Sequence, residues 1–357
     1  MLDETIVSLL DDLFINDYRS TSDAIQPGAA VLISIDDQIV YQRCIGFANI
    51  LQSEAITCNT NFRLASLSKQ FIAYGIVLLE DQRKLTRQDT LASFFSSEFK
   101  QKCPKLSSTV RIQHLLDHSS GVMDYENCDP LPDGRQWLDH DVLAILTDET
   151  YFEPGSQYRY SNTGYILLGL IIEVVSGQAL GDFLQKFIFE PCGMQTSIVF
   201  DSNHTQIANR AFGYAPKEDN EHYVLSDQSP TSATRGDGGI YMSINDYFQW
   251  YRHCQPITSA VFPIQNVSNS SPQYYSLGWF LSDVNGHTRI HSGHSCGFTH
   301  QVFRIDEEQR RVLVLYLSNI NENDKRLGNF NRLIVERIPQ LRPNKLDLLR
   351  SLTELTR

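Results

Sequence analysis

The hydrophobic pattern changes its period twice along this chain, and that change constrains the fold more than any other feature of the sequence. Near the N-terminus, alternation on both sides of Asp36-Asp37 predicts two strands around a tight turn, at residues 28–35 and 38–47. Strand-like alternation returns near the other end, at residues 275–281, 288–291, 299–305 and 311–317. Because both ends are β-rich, we expect one sheet assembled from both of them, with a helical insertion between.

The middle of the chain has the hydrophobic pattern of helices. Residues 69–80 are continuously apolar over helical length, which predicts a largely buried helix. Further helices are predicted before Gly177 and Pro191 and in two earlier segments, at 112–116, 137–146, 164–175 and 180–189. Beyond the strands, residues 329–338 predict a helix that ends at Pro339, and residues 345–356 predict an exposed one.

Composition and charge exclude several classes of partner. The 357 residues allow one large domain or two packed ones, and 41% hydrophobic residues are typical of a globular protein. The net charge of -12, with no run rich in Lys and Arg, argues against nucleic acid or an anionic membrane as partner. The acidic N-terminal pattern lacks the features of a signal peptide, and no segment reaches about 18 consecutive apolar residues. We therefore expect a cytoplasmic chain with no membrane anchor.

The seven cysteines give no sign of a disulfide framework or of a metal site. Their number is odd, they are widely scattered, and they contain no C-x-x-C pair. Reduced thiols are therefore expected.

Ser66 and Lys69 form an S-x-x-K tetrad at the start of the predicted buried helix. Residues three apart share one face of a helix, so the Lys69 amine can lie beside the Ser66 hydroxyl. Burial disfavours the charged ammonium, so that a neutral amine can take the hydroxyl proton. The helix N-terminus adds free N–H groups where an oxyanion would develop. This placement predicts an activated serine nucleophile.

The tetrad alone is a weak signal. Chance supplies roughly one S-x-x-K in a chain of this composition, and a second one occurs at Ser97 to Lys100. The second tetrad lies in a polar stretch with no apolar helix behind it, so we interpret it as a solvated face.

Tyr160-Ser161-Asn162 precedes the apolar helix of residues 164–175. The Tyr160 hydroxyl could act near Lys69 as general base and then as general acid, and the Asn162 amide could hold a substrate carbonyl. Ser161 and Asn162 also suit the capping of that helix, and both roles can hold together. A second Y-x-N at Tyr125 to Asn127 shows how little the three letters prove alone.

The segment His291-Ser292-Gly293-His294 lies at the end of a predicted strand. Its backbone N–H groups could face a substrate opposite Ser66, and the His294 N–H would then be the second oxyanion donor beside that of Ser66. The alternative is a strand-end loop with exposed histidines.

Two other patterns overlap this segment, and neither is favoured. Residues 293–297 match the G-x-S-x-G nucleophile elbow, but no acid lies between Ser295 and the following His300, and the subsequent residues alternate like a strand. A metal site from His287, His291 and His294 would need strand and turn spacings to converge. His114 and the following His118 lack the glutamate of H-E-x-x-H, which leaves helix-end packing as their expected role. We expect no metal.

The three motifs, in the order Ser66-x-x-Lys69, Tyr160-x-Asn162 and His291-x-Gly293, resemble those of the serine β-lactamase-like family, which includes class C β-lactamases, D,D-peptidases and related esterases and amidases. The resemblance runs from about residue 27 to 338. Neighbouring sequence that also matches lies at residues 62–66, 114–121, 152–155, 160–165, 238–240 and 297–298.

The resemblance implies an α+β fold with an antiparallel sheet flanked by helices and a mostly helical domain, the site lying in the cleft between them. Residues 1–65 and 230–340 would form the sheet domain, residues 66–229 the helical domain, and residues 341–357 a C-terminal helical extension. Ser66 would be acylated, with Lys69 and Tyr160 sharing the proton transfers. Asn162 would position the acyl side, and the Ser66 and His294 N–H groups would form the oxyanion hole. No cofactor is implied.

One departure bears on the substrate. Class C enzymes and D,D-peptidases usually carry Lys-Thr-Gly where this chain has His291-Ser292-Gly293, and histidine is not a fixed positive charge at neutral pH. We expect Asn162, His291 and Gly293 to bind substrate, with weakened anchoring of a carboxylate. A small ester or amide is therefore the favoured substrate. The alternatives are a β-lactamase or D,D-carboxypeptidase acting on a β-lactam or peptide, and a non-catalytic binding module of the same fold. The oligomeric state stays open.

Overall fold

The structure is a computed structural model of the whole chain. It describes residues 2, 4–18, 26–201, 206–218, 222–253, 262–264, 273–281, 286–307, 310–321, 325–338 and 341.

Ten α-helices lie in this described part of the chain. They are α1 (Glu4–Tyr18), α2 (Lys69–Asp81), α3 (Ser97–Lys102), α4 (Pro104–Thr109), α5 (Ile112–Leu116), α6 (Asp139–Ile145), α7 (Asn162–Ser176), α8 (Leu180–Leu184), α9 (Ile244–His253) and α10 (Arg326–Arg337). A π-helical turn, Gln185–Phe189, extends α8, and 3-10 turns occupy Ala65–Ser68, Leu91–Ser93 and Tyr125–Asn127.

Fifteen strands accompany these helices. They are β1 (Ala29–Ile35), β2 (Gln38–Ile45), β3 (Phe47–Asn49), β4 (Glu54–Ala55), β5 (Phe62–Arg63), β6 (Ile198–Val199), β7 (Tyr214–Pro216), β8 (Tyr223–Leu225), β9 (Ile240–Met242), β10 (Phe262–Ile264), β11 (Gln273–Ser276), β12 (Trp279–Leu281), β13 (Thr288–Ser295), β14 (Phe298–Glu307) and β15 (Arg310–Ser318).

The main sheet is antiparallel and is built from both ends of the chain. Its eight strands follow the order β10-β11-β12-β13-β14-β15-β1-β2, so β1 lies between its hairpin partner β2 and the distant β15. Helices, a three-stranded sheet (β5-β9-β6) and two two-stranded sheets (β3-β4 and β7-β8) accompany it in the described part of the chain. The α+β class predicted from the two β-rich ends is confirmed. The boundaries proposed for the domains stay a prediction.

The two faces of the sheet carry different layers. On one face, Phe14 of α1 and Phe330 of α10 pack against Tyr316 of β15. Its neighbour Leu317 pairs with His300, which pairs with Gly293, so these residues share the opposite face. There the His300 Nε2 lies 2.6 Å from the Arg63 carbonyl oxygen, just before the Ala65–Ser68 turn. The face opposite α1 and α10 therefore supports the predicted nucleophile.

The hairpin of β1 and β2 forms as the sequence predicts. Asp36 and Asp37 have φ values of 48° and 61°, a left-handed pair that matches the twist of a two-residue hairpin.

The segment predicted as a single strand, 275–281, instead contains the end of β11, a turn and all of β12. The turn residues Leu277 and Gly278 have φ values of 50° and 81°. A Cβ on Gly278 would lie 2.7 Å from the Cα of Gln70, so glycine permits this turn to approach the start of α2. The single-strand prediction is wrong because Leu277 continues the hydrophobic alternation although its φ is positive, so the alternation alone does not reveal the turn. Helix α9 was not predicted at all.

Helices α2 and α7 cross at close range in the core. A Cβ on Gly75 of α2 would lie 2.8 Å from the Ile172 side chain of α7, so the glycine permits the close approach. Helix α7 ends at Gly177, whose φ of 68° is typical of a helix C-terminus. Both helices begin at a residue of the predicted site, α2 at Lys69 and α7 at Asn162.

Within the described residues, no single helix has the length and apolar composition needed to cross a membrane. Helix α7 and the segment Leu180–Phe189 pass that test only as a pair, and the pair is bent by 78°. The predicted exposed helix at 345–356 lies outside the described residues, as does the C-terminal extension apart from Leu341.

Candidate active site

Ser66 lies in the 3-10 turn Ala65–Ser68, directly before α2. It is partly exposed, whereas every other residue from 60 to 73 is buried. Ala65 has a φ of 49°, a conformation that disfavours non-glycine residues and places the serine on a sharp turn. The Leu67 N–H already donates to the Leu64 carbonyl oxygen at 3.2 Å. Ser66 therefore has an opening to solvent, and its own N–H is the backbone donor expected at the site.

Lys69 is fully buried and makes three hydrogen-bond contacts. Its Nζ lies 3.1 Å from the Ser66 Oγ, 2.7 Å from the Asn162 Oδ1 and 2.9 Å from the Asp237 carbonyl oxygen. Three contacts suit the three N–H donors of an ammonium. A neutral amine would keep the two bonds to Asn162 and Asp237 and direct its lone pair at the Ser66 hydroxyl. The same geometry thus serves both protonation states.

The second tetrad has no such geometry. Ser97 and Lys100 are both exposed on α3, and the Lys100 ammonium donates to the Ala92 carbonyl oxygen instead of to Ser97. The interpretation as a solvated face is confirmed.

The Tyr160 hydroxyl is buried, and among the residues that the structure describes it has no hydrogen-bond partner of standard geometry. The Lys69 Nζ lies 4.9 Å from the centre of the Tyr160 ring. Burial raises the pKa of Tyr160, while the positive charge of Lys69 and the nearby Ser66 hydroxyl lower it less strongly. The resting side chain of Tyr160 is therefore a neutral phenol that can donate a proton. From the sequence motif it was expected to act first as a general base.

The His118 ring packs against the Tyr160 ring, with 4.3 Å between the two ring centres. Its Nδ1 accepts the Ser161 N–H at 3.1 Å, which fixes the ring and requires an unprotonated Nδ1. Burial, and then the charge of Lys69, lower the pKa of His118 well below its ordinary value. Helix-end packing was the role expected for His118, and its contact with Tyr160 was not predicted.

Asn162 connects the lysine to an acidic side chain. Its Oδ1 accepts from Lys69, and its Nδ2 donates to a Glu126 carboxylate oxygen at 2.8 Å. Ser161 caps α7 by accepting the Gly164 N–H at 3.1 Å, which holds Asn162 at the first helical position. Both ends of the amide are therefore oriented before any substrate arrives.

Three carboxyl groups, Asp124, Glu126 and Asp237, lie near Lys69, and sequence reasoning missed all of them. Glu126 lies at the exposed rim, and Asp237 is buried with its Oδ2 accepting the Tyr125 hydroxyl at 3.0 Å. The Asp237 Oδ1 is buried without a partner among the described residues. Burial and then Asp237 raise the pKa of Glu126, and Asp124 has its pKa raised by burial; Lys69 lowers both. The site is therefore rich in acid, which no sequence pattern indicated.

Strand β13 has one edge that bonds to β14 and a second edge that β12 covers only in part. The Asp306 N–H donates to the His287 carbonyl oxygen, so with regular pairing every second residue from His287 onward bonds to β14. Ser292 and His294 then direct their backbone groups to the other edge, which β12 covers only at residues 289–290. The alternation thus directs the His294 N–H to this second edge, and its role as an oxyanion donor beside Ser66 stays a prediction.

Gly293 lets β13 approach the nucleophile turn. A Cβ at this position would lie 2.4 Å from the Leu64 carbonyl oxygen and 3.5 Å from the Ala65 Cβ. Only glycine fits without displacing the backbone. The chain continues from Ser295 through a turn at Cys296 into β14, so the G-x-S-x-G segment is a hairpin and not a strand–turn–helix elbow.

His291 is fully buried behind the site. Its Nδ1 lies 2.6 Å from the Ser292 carbonyl oxygen, and its Nε2 lies 3.1 Å from the Tyr275 hydroxyl. These neighbours assign the proton to Nδ1 and leave Nε2 to accept from the phenol. Burial and the charge of Lys69 lower the pKa of His291 to about 3. The side chain is neutral at pH 7 and supplies no positive charge to a substrate.

Of the three histidines weighed as metal ligands, His291 and His294 lie in β13 and His287 directly precedes it. In the described part of the chain, no group of three or more His, Cys, Asp and Glu side chains is arranged to hold a metal ion.

Solved structures of other proteins share this fold. The penicillin binding protein from Bacillus halodurans aligns with a TM-score of 0.70 at 23% identity, covering 93% of this chain and all of that one. The D-amino acid amidase from Ochrobactrum anthropi, complexed with D-phenylalanine, aligns with a TM-score of 0.66 at 22% identity, covering 88% and 90% of the two chains. At these identities the likeness establishes the fold alone, which this chain shares with both proteins.

Sequence comparison assigns the chain to a family. The Beta-lactamase family model matches residues 19–336, and the chain therefore belongs to the beta-lactamase family of serine hydrolases. Penicillin-binding protein 4* of Bacillus subtilis is 30% identical over 86% of this chain and 71% of its own length. A D-aminopeptidase of Brucella anthropi is 25% identical over 81% of this chain, which spans only 56% of that relative.

Proposed function

We propose that this protein hydrolyses esters or amides through an acyl-enzyme on Ser66. The observation that carries the proposal is the position of the Lys69 Nζ, 3.1 Å from the Ser66 Oγ and held in place by the Asn162 amide and the Asp237 carbonyl. A buried amine with two fixed acceptors and one free direction can remove a proton only from the group that it faces. That group is the Ser66 hydroxyl.

The remaining steps follow from the neighbours of this pair. Acylation of Ser66 requires the protonation state in which Lys69 is the free amine. The Ser66 oxygen then attacks the substrate carbonyl while its proton passes to the Lys69 amine, and the N–H groups of Ser66 and His294 stabilise the oxyanion. The neutral Tyr160 phenol supplies a proton to the leaving group and recovers one through Lys69. Water then attacks the acyl-enzyme with the same groups acting in reverse.

The charge distribution favours a substrate whose acyl part carries an ammonium group. A carboxylate-bearing β-lactam would approach the Glu126 carboxylate at the rim, and the buried, neutral His291 would offer it no positive charge. An ammonium beside Asn162 would instead approach the Glu126 carboxylate at the rim. The D-aminopeptidase relative and the amidase holding D-phenylalanine support an amino acid ester or amide as the substrate class.

Labelling with a fluorophosphonate probe, followed by mass spectrometry, tests the nucleophile. The adduct is expected on Ser66, and none is expected on the Ser66→Ala variant, whereas Ser97→Ala should label like the wild type. An adduct on another serine would refute the proposed nucleophile. Complete lack of labelling in a folded protein would favour a binding module without catalysis.

The substrate class is tested separately by comparing p-nitrophenyl acetate, a p-nitrophenyl ester of an unprotected amino acid, and nitrocefin. The amino acid ester should be hydrolysed with the highest kcat/KM. Faster turnover of nitrocefin would promote the β-lactamase alternative, with Ser66 still as nucleophile.

A further inference from the structure

Two cysteines meet at the base of the β3–β4 hairpin. The Sγ atoms of Cys44 and Cys58 lie 3.1 Å apart, although 14 positions separate them in sequence. Cys44 is in β2, and Cys58 follows Ile56, whose N–H donates to the Gly46 carbonyl oxygen at 2.9 Å. The hairpin backbone therefore fixes the distance between the two sulfurs, and both residues are partly exposed.

The two thiols differ in their readiness to ionise. The hydrogen bond with the Cys44 thiol lowers the pKa of Cys58 to about 7. The same contact, together with burial, raises the pKa of Cys44. Either sulfur can donate in this contact, and the lowered pKa favours Cys58 as the attacking thiol with Cys44 as its partner.

We propose that Cys44 and Cys58 form a reversible redox site that closes to an intramolecular disulfide. A disulfide bond is about 2.0 Å long, so the sulfurs need to approach by only about 1 Å from their present separation. The reduced thiols expected from the cysteine pattern are then one of two states of this site.

The oxidation is balanced with a disulfide of glutathione type as the oxidant. The Cys58 thiolate attacks one sulfur of oxidised glutathione and expels one glutathione thiolate, leaving a mixed disulfide on Cys58. Cys44, losing its proton to water, attacks the Cys58 sulfur and expels the second glutathione thiolate. Two protein thiols lose two electrons in total, and one oxidised glutathione becomes two reduced ones.

The closed bond would join the end of β2 to the segment that leads into β5 and the nucleophile turn. It contacts neither Ser66 nor Lys69, so hydrolysis should continue in both states. Closing this loop restricts the unfolded chain, and we expect the oxidised protein to melt about 5 °C higher than the reduced one.

Trypsin gives a direct readout, because Arg43 and Arg63 flank both cysteines with no Lys or Arg between them. After incubation of the full chain with oxidised glutathione, peptide 44–63 should be lighter by about 2 Da and resist alkylation until dithiothreitol is added. The exposed Cys128 lies on another peptide and serves as an internal control, since it has no neighbouring thiol in the described structure.

Variants separate the roles of the two sulfurs. Cys44→Ser should stop at a stable glutathione adduct on Cys58, Cys58→Ser should lose the mass shift, and Cys128→Ser should behave as the wild type. Two alkylated cysteines in wild-type peptide 44–63, or a lasting glutathione adduct there, would overturn the proposal. The result is independent of ester hydrolysis, so failure here leaves the proposed function untouched.

Discussion

The Lys69 Nζ and the Asn162 Oδ1 lie 2.7 Å apart, although 93 positions separate the two residues in sequence. Each is the first residue of its helix, Lys69 of α2 and Asn162 of α7. The close packing of these helices at Gly75 and Ile172 holds their starting points together. The geometry of the proposed base therefore depends on the contact between two buried helices.

Replacing Lys69 by methionine should lower kcat/KM for a p-nitrophenyl ester by about 10³-fold, because the general base is removed while the volume is kept. The Asn162 Oδ1 and the Asp237 carbonyl would each lose a buried donor, which costs about 2 kcal/mol of unfolding free energy. Ester hydrolysis and urea unfolding are the measurements. Lys100→Met, in the exposed tetrad, is the matched control and should match the wild type in both.

Replacing Glu126 by glutamine should reduce kcat/KM for the amino acid ester by about 5-fold while leaving p-nitrophenyl acetate unchanged, because a charge pair at an exposed rim contributes up to about 1 kcal/mol. The glutamine oxygen can still accept from Asn162, so the amide stays oriented. Glu153→Gln, at an exposed pair with Lys105, is the control. An equal loss for both esters would assign Glu126 to positioning Asn162 and argue against the ammonium.

Replacing Gly293 by alanine should displace β13 from the nucleophile turn, since the new Cβ would meet the Leu64 carbonyl oxygen. We expect a loss of about 1–3 kcal/mol in stability and a fall in kcat of about 10²-fold from the shifted His294 N–H. Gly328→Ala in α10 is a useful comparison, because no atom lies within 4 Å of its Cβ position. That variant should be slightly stabilised by the better helix former and fully active. Normal kcat in Gly293→Ala would exclude a role for this approach.

The buried His300 should make stability fall as the pH is lowered. Burial lowers the pKa of His300 from 6.5 to about 3, so between these values the unfolded chain binds a proton that the folded chain does not. The unfolded state is favoured by up to about 1.4 kcal/mol for each pH unit below 6.5. His300→Gln removes this contribution, so its stability deficit against the wild type should shrink from pH 7 toward about pH 5. Chemical denaturation over that interval checks the slope, and parallel curves would contradict it.

Local sequence patterns were sufficient to predict much of the fold and the proximity of Ser66 and Lys69. The β1–β2 hairpin, α2 and α7 follow from period, turn residues and caps, and the S-x-x-K spacing places Ser66 and Lys69 on one turn before any tertiary contact forms. The acidic groups could not be found in this way, because Glu126 and Asp237 reach Asn162 and Lys69 only through packing across 36 and 168 positions. The same holds for His118, whose partner Tyr160 is brought to it by the folded core. The cytoplasmic location remains an expectation.

The position of β1 between β2 and β15 has a consequence for folding during synthesis. Val31 of β1 pairs with Tyr316 of β15, so β1 cannot complete its pairing until β15, 285 positions later in the sequence, has been synthesised. Until the ribosome has released that final strand, the early hairpin carries an unsatisfied edge on which a foreign strand could add. Such long-range closure slows folding, and nascent chains of this protein should depend on chaperones more than an α-helical chain of equal length.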